Sequence, residues 1–116
     1  MTALQVFVYG TLKRGGHNHH LLEGDTFLGE HRTAPCYTMY SLGSFPAVVR
    51  HGNTAIQGEV YRISKQTFAN LDRLEDYPSF YDRELIDTPY GKAWMYVMGD
   101  TLSDHPIVTS GNWRNP

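Results

Sequence analysis

Two parts of the sequence combine residue types that can do chemistry. Residues 9–12 follow a β-branched and aromatic run, and the second of them is Gly10. Glycine permits a sharp turn, and the small and basic residues after it leave backbone N–H groups free to point at an anion. Glu75 lies at the end of a predicted helix. The first part is a candidate anion-binding loop, and the second is a candidate general acid or base.

The direction of the Glu75 side chain follows from helical periodicity. A helix is predicted over residues 64–75, with Ser64 as its N-cap and Tyr77-Pro78 as its stop signal. At about 100° per residue, an apolar stripe runs along one face and is formed by Phe68, Leu71 and Leu74. Glu75 falls within about 40° of the centre of this stripe, whereas Asp72 and Asp76 turn away from it. Glu75 is therefore the acid expected to point inward.

An inward carboxylate in the last helical turn is disfavoured by desolvation and by the negative end of the helix dipole. Both effects raise the pKa of the carboxyl group, which makes it a useful general base near neutral pH. The alternative is structural: Glu75 pairs with Arg83, Arg73 or a backbone amide while the helix frays. The residues alone leave both interpretations open.

The loop does not match the common phosphate-binding motifs. Gly10 and Gly15 are spaced as in a P-loop, but Gly15 is followed by Gly16 and His17 instead of Lys and Ser or Thr. The dinucleotide fingerprint fails because Leu12 stands where its second glycine should be. Nucleotide binding is therefore not predicted, and an ordinary strand-to-loop junction is the alternative to a binding loop.

Length and composition limit the class of protein. A chain of 116 residues predicts one domain over residues 1–116. No apolar run approaches the roughly 20 residues of a membrane span, and Met1 leads into a strand without a signal-peptide pattern. We therefore predict a cytoplasmic protein with no membrane partner. A net charge of −2 supplies no basic field, so no nucleic-acid partner is predicted.

Metal or cofactor chemistry is not predicted either. Cys36 is the single cysteine, so it cannot form an intramolecular disulfide or a cysteine-based zinc site, and we expect it in the core or half-buried. His17, His19 and His20 lie close together, but adjacent loop histidines rarely converge on one ion without other ligands. They are predicted to be solvated. Glu59 is a further candidate inward carboxylate, for which a structural ion pair is the favoured role.

The remaining elements predict a β-rich fold around the single long helix. The final segment, residues 102–116, is expected to be anchored by Ile107 and Trp113. Residues 81–87 and 92–98 predict an antiparallel hairpin, and a turn is predicted at residues 51–53. Other predicted strands cover residues 6–9, 25–33 with an interruption at Gly29, 36–42, 47–50 and 55–63.

Four motifs together resemble the γ-glutamylcyclotransferase-like family. They are YGTLKRG at residues 9–15, NH at 18–19, GEVY at 58–61 and EDYPSFYDR at 75–83. The resemblance spans residue 6 to about residue 97. It is closest to the small γ-glutamylamine cyclotransferase and AIG2-like branch, which includes short bacterial members. It implies an α+β fold, a small mixed β-barrel flanked by helices.

The resemblance also implies roles for site residues. Glu75 matches the catalytic acid/base of the family, and Tyr81 matches a tyrosine that lines the pocket. His19 becomes part of a family pattern, which further weakens the metal hypothesis. The loop whose main-chain amides hold the carboxylate end of the substrate is matched by Tyr9, Gly10, Thr11 and Leu12.

The implied partner is a small-molecule γ-glutamyl substrate. Its α-amine attacks its own γ-carbonyl, which releases an amine and leaves 5-oxoproline; this ring closure requires no cofactor, metal or enzyme nucleophile. Both γ-glutamylamines and γ-glutamyl amino acids are candidate substrates. Another hypothesis is a non-catalytic module of the same fold that binds a small carboxylate or a partner's terminus. Single-stranded nucleic-acid binding through the tyrosines is a third, against which the acidic balance argues.

Overall fold

The described part of the chain forms two β-sheets and one α-helix. The computed structural model describes residues 4–99, 102 and 104–115. In chain order the strands and helix are β1 (Leu4–Val8), β2 (Thr26–Arg32), β3 (Tyr37–Ser41), β4 (Pro46–Thr54), β5 (Gln57–Ile63), α1 (Lys65–Leu74), β6 (Asp82–Thr88) and β7 (Gly91–Val97). A short 3₁₀ helix, His19–Leu22, lies between β1 and β2.

β1 is the central strand of the larger sheet, whose order is β2-β5-β1-β7-β6. Both faces of β1 are covered, as its unbroken apolar run predicts. Val6 and Val8 pack in a core cluster with Leu71 of α1. Phe7 points the other way and packs with Met39 in a second cluster. The candidate loop therefore begins at the end of the central strand, which is packed on both faces.

The larger sheet is mixed. β1 runs parallel to β7, with Val6 opposite Trp94, and its other strand pairs are antiparallel. β3 and β4 form a separate antiparallel pair, which an isolated bridge between Val49 and Met98 connects to the end of β7. The α+β class is confirmed. In the described residues the strands form an open five-stranded sheet and a two-stranded sheet and do not close into a barrel.

The helix α1 has the predicted limits. The Ser64 side chain accepts a hydrogen bond from Thr67 N (3.0 Å) and caps the first turn. At the other end Tyr77 N donates to Asp72 O (2.9 Å), and Asp76 adopts a left-handed φ of 53°. This Schellman-type ending stops the helix at Glu75 and reverses the chain. No helix in the described part is long and apolar enough to span a membrane.

Two predictions for single residues, Cys36 and Ile107, are wrong. Cys36 is exposed because it precedes β3 in an open connection. The half-burial of Asp72 was not predicted: β6 and β7 pack beside α1 and supply donors to its carboxylate. Ile107 is 54% exposed, because only its backbone bridges β3, at Tyr40, while Trp113 is buried as predicted. Residues 103 and 116 of the predicted final segment lie outside the described residues.

The predicted turn at residues 51–53 is also wrong, because β4 runs through it to Thr54. Thr54 pairs with Tyr37, whereas the next residue of β3, Thr38, pairs with Val49. The intervening residues of β4 form a bulge, which the Thr38 hydroxyl stabilises by donating to His51 O. The interruption at Gly29 is confirmed as a register shift, and the hairpin of β6 and β7 is confirmed as antiparallel.

The left-handed conformation of Asp76 predicts a specific effect on stability. A β-branched side chain is strained at positive φ, whereas glycine is not. We expect Asp76→Val to have a free energy of unfolding about 1–3 kcal/mol below that of Asp76→Gly in urea denaturation at neutral pH. Both variants remove the same charge, so the comparison isolates the backbone. Equal stability of the two would show that the helix ending does not depend on this conformation.

Candidate functional site

The residues proposed from the sequence lie around one cavity. Its volume is about 230 Å³. Side chains or backbone of all six predicted site residues line it, namely Tyr9, Gly10, Thr11, Leu12, Glu75 and Tyr81. They come from the loop after β1, the end of α1 and the segment before β6, so the tertiary fold brings together residues up to 72 positions apart in the sequence.

The loop after β1 is held by hydrogen bonds that its carbonyl oxygens accept. Gly10 O accepts a hydrogen bond from Asn115 Nδ2 (3.2 Å), and Thr11 O accepts one from Asn18 N (3.1 Å). In a planar trans peptide, the C=O of one residue and the N–H of the next point in opposite directions. The N–H groups of Thr11 and Leu12 therefore point away from these donors, and neither has an acceptor among the described residues. Two free N–H groups beside a cavity can bind an anion.

Charged side chains support the loop from outside the cavity. Glu59, buried on β5, accepts hydrogen bonds from Arg14 N (3.0 Å) and from the Tyr61 hydroxyl (2.9 Å). The expected ion pair of Glu59 is confirmed, with Arg14 Nε 3.5 Å from Oε2. Lys13 Nζ donates to Trp113 O (2.6 Å). Both basic residues of the loop are therefore used to hold its shape.

Gly10 is required by a close approach of β4 to the loop. A Cβ atom at this position would lie 2.8 Å from both Cγ and Cδ of Pro46, which also lines the cavity. The Tyr81 hydroxyl donates a hydrogen bond to Pro46 O (2.7 Å). The start of β4 thus joins the loop to the segment before β6 and closes one wall of the cavity.

Glu75 caps the C-terminus of α1, and its side chain lines the cavity as predicted. Burial raises the pKa of Glu75 from its ordinary value of 4.5 to about 7. The structural alternative is not what the described residues show. Arg83 pairs with Asp72 (3.4 Å), Arg73 bonds to Asn70, and no described group donates to the Glu75 carboxylate. The Glu75 carboxylate is therefore half-buried at the cavity and has no partner among the described residues.

Three tyrosines surround this carboxylate, and the hydroxyl of each donates elsewhere. Tyr9 donates to the backbone carbonyl of Tyr96 (2.6 Å), Tyr96 donates to Asp72 Oδ1 (2.7 Å), and Tyr81 donates to β4 as described above. Burial raises the pKa of all three hydroxyls, and the nearby charge of Glu75 adds to the rise. The three side chains form a wall of the cavity, and because none of their hydroxyls donates to Glu75, they do not lower its pKa.

Arg83 is kept outside the cavity by an aromatic cluster. Its guanidinium lies 4.0 Å from the ring centroid of Tyr77, 4.5 Å from that of Phe68 and 4.8 Å from that of Trp94. Together with the ion pair to Asp72, these contacts pack α1 against β6 and β7. Arg83 is thereby prevented from neutralising the Glu75 carboxylate.

The histidines next to the loop have separate positions. His19 Nδ1 lies 3.0 Å from Leu12 O and so holds the loop, His20 Nδ1 lies 3.1 Å from His17 O, and His17 is exposed and lines the cavity. Within residues 4–99, 102 and 104–115, no group of three His, Cys, Asp or Glu side chains is arranged to hold a metal ion.

Several residues of the site were not identified from the sequence. Alternation along β7 does place Trp94 and Tyr96 on one face, which is a signal that Tyr96 points toward α1. The pairing of Asn115 with Gly10 has no such local signal, because the fold brings together residues 105 positions apart. Asn18 belongs to the NH motif, but its pairing with Thr11 was not predicted.

The sequence and fold are similar to those of known proteins. The family model described as gamma-glutamyl cyclotransferase, AIG2-like matches residues 6–115. The gamma-glutamylcyclotransferase family protein YtfP of Escherichia coli K12 is 41% identical over 110 residues, which cover 95% of this chain and 96% of that protein. The solution NMR structure of E. coli YtfP has a TM-score of 0.77 over the same shares. A mouse AIG2-like protein, at 23% identity, has a TM-score of 0.83 over 98% of this chain and 90% of its own, which shows the fold alone.

The raised pKa of Glu75 predicts a pH-dependent cost to stability. Between pH 4.5 and about 7 the unfolded chain ionises Glu75 while the folded chain retains the proton, so folding is disfavoured as the pH rises. We expect the free energy of unfolding of Glu75→Gln, relative to wild type, to increase by roughly 3 kcal/mol across this range and to be constant on either side. Urea denaturation of both proteins at several pH values measures it. A difference that does not change with pH would mean that the carboxyl group is not buried.

Proposed function

Because the chain belongs to the gamma-glutamyl cyclotransferase, AIG2-like family, we propose that it is an enzyme that converts the γ-glutamyl group of a γ-glutamylamine or γ-glutamyl amino acid to 5-oxoproline. The amine is released. One observation carries the proposal: the half-buried carboxylate of Glu75, without a donor among the described residues, lines the same cavity as Thr11 and Leu12, whose N–H groups have no acceptor among those residues. A base and an anion clamp are the two groups that this ring closure needs.

In the proposed complex, the N–H groups of Thr11 and Leu12 bind the α-carboxylate of the substrate. The carbonyl oxygens of the same two peptides, Gly10 O and Thr11 O, already accept hydrogen bonds. The amides are therefore oriented before the substrate binds and do not have to reorganise. Binding this end leaves the α-ammonium and the γ-carbonyl within one enclosed space. The attack is intramolecular, so holding the chain bent supplies much of the acceleration.

Glu75 acts as the general base and then as the general acid. Its carboxylate takes a proton from the α-ammonium, and the resulting amine forms a C–N bond to the γ-carbon. The protonated Glu75 gives that proton to the departing nitrogen, and the bond between this nitrogen and the γ-carbon breaks. Glu75 then takes a second proton from the ring nitrogen and passes it to the released amine. The amine leaves as an ammonium ion, and the carboxylate is regenerated. The protons balance without water or a metal.

The tyrosine wall has a supporting role in this proposal. If one of the three hydroxyls donated to Glu75, it would stabilise the carboxylate and lower its pKa. Because Tyr9, Tyr81 and Tyr96 donate to other acceptors, they shape the cavity without weakening the base.

The proposal predicts that Glu75→Gln loses activity while it still binds the product. We expect at least about a 100-fold drop in the rate of 5-oxoproline formation, the usual scale of acid/base catalysis. Mass spectrometry of reactions with a panel of γ-glutamyl compounds measures the rate. Shifts of the Thr11 and Leu12 amide NMR signals on titration with 5-oxoproline measure binding. Asp76→Asn is the matched control, since this neighbouring acid does not line the cavity and should retain the wild-type rate.

Near-wild-type turnover by Glu75→Gln would exclude Glu75 as the acid/base. If wild type binds 5-oxoproline but forms no product from any γ-glutamyl compound, the chain is a non-catalytic module that binds small carboxylates.

The proposal also predicts the pH dependence of the reaction. Glu75 must be ionised to accept the first proton, so kcat/KM should rise with pH and level off above an apparent pKa of about 7. Initial rates at subsaturating substrate between pH 5 and 9 would show this limb, which Glu75→Gln should lack. An inflection near the ordinary value for a carboxyl group would argue that the base is not buried in the working enzyme.

A further inference from the structure

We propose that the leaving amine of the substrate is apolar and carries no carboxylate of its own, and that Leu74 and Phe80 hold it at the mouth of the cavity. This inference rests on the function proposed above and adds to it the chemical class of the leaving group.

The mouth is identified by the exposure of the residues that line the cavity. The loop residues and the three tyrosines are buried, whereas Leu74 is 40% and Phe80 47% exposed. Ser44 and His17, which also line the cavity, are exposed as well. If the glutamyl part lies at the buried end, between the loop N–H groups and Glu75, the leaving group must project past these four residues.

The two apolar side chains at the mouth have defined positions. Leu74 is the last residue of α1. The Phe80 ring packs edge-on against the Tyr81 ring, with centroids 5.1 Å apart and an interplanar angle of 86°. Phe80 N also donates to Asp76 O (2.8 Å). Apolar surface that folding leaves exposed beside a cavity favours a ligand group that covers it.

The charges around the cavity disfavour a second carboxylate. None of the described residues that line it is Lys or Arg, and Glu75 contributes negative charge. The basic residues next to the lining in the sequence are engaged elsewhere: Lys13 with Trp113 O, Arg73 with Asn70 Oδ1, and Arg14 in an ion pair, as is Arg83. The carboxylate of a γ-glutamyl amino acid would be partly desolvated at the mouth without a cationic partner.

The test compares substrates that differ only in that carboxylate. γ-Glutamyl-phenethylamine and γ-glutamyl-phenylalanine form one such pair, and γ-glutamyl-pentylamine and γ-glutamyl-norleucine form another. At pH 8, where histidine is normally neutral, we expect kcat/KM for the amine of each pair to be at least about tenfold higher. Lengthening the amine from methyl to pentyl should raise kcat/KM by roughly fourfold for each methylene that is buried.

Variants at the mouth test whether these two residues set the preference. Leu74→Ala with Phe80→Ala should lower kcat/KM for γ-glutamyl-phenethylamine at least about tenfold and leave that for γ-glutamyl-methylamine within about twofold. Leu85→Ala is the matched control, because this leucine is 47% exposed on β6 and does not line the cavity. Leu74→Lys should move the preference toward γ-glutamyl-phenylalanine by supplying the missing cation.

The outcomes separate this inference from the proposed function. Formation of 5-oxoproline with equal or higher kcat/KM for the amino-acid member of each pair would overturn the inference and leave the proposed function standing. An equal loss of kcat/KM for γ-glutamyl-methylamine and γ-glutamyl-phenethylamine in the alanine variant would likewise overturn the inference. No product from any substrate, including γ-glutamyl-methylamine, would overturn the proposed function itself.

Discussion

The half-buried carboxyl group of Glu75 has no donor among the described residues, and much of the surrounding structure keeps donors away from it. An arginine in the cavity would stabilise the carboxylate and lower its pKa, as would a tyrosine hydroxyl to a smaller degree. The chain instead pairs Arg83 with Asp72 and encloses its guanidinium in aromatic rings. Its tyrosines donate to other acceptors. Burial alone therefore sets the proton affinity of Glu75.

This arrangement depends on how α1 ends. Asp76 in a left-handed conformation reverses the chain directly after Glu75, and Tyr81 N then donates back to Glu75 O (3.3 Å). A positive φ at a residue other than glycine and a desolvated carboxylate both disfavour folding. The two core clusters on either side of β1 offset these costs. Local strain beside a buried acid is a common property of functional sites, where the surrounding packing holds an unfavourable geometry in place.

Much of the framework could be predicted from local pattern. The cap at Ser64, the apolar stripe of α1 and the stop after Glu75 are encoded within one segment, so the limits of the helix and the inward direction of Glu75 were predicted correctly. The hydrogen-bond partners of Asp72 were not predicted, because they come from β6 and β7, which follow α1 in the chain. The burial expected at Ile107 failed for the same reason: a hydrophobic residue in a loop is covered only if another element reaches it.

The sequence by itself determined that a buried strand leads into a glycine loop and that one acid of α1 faces the core, because strand and helix periodicity depend on neighbouring residues. It did not determine where the loop amides point. That direction depends on which donors hold the carbonyl oxygens, and Gly10 O accepts hydrogen bonds both from Lys13 N within the loop (3.1 Å) and from Asn115, 105 residues away. Only the tertiary structure brings that side chain to the loop. For this physical reason the loop and the acid are local properties of the chain, whereas the cavity they share is a property of the fold.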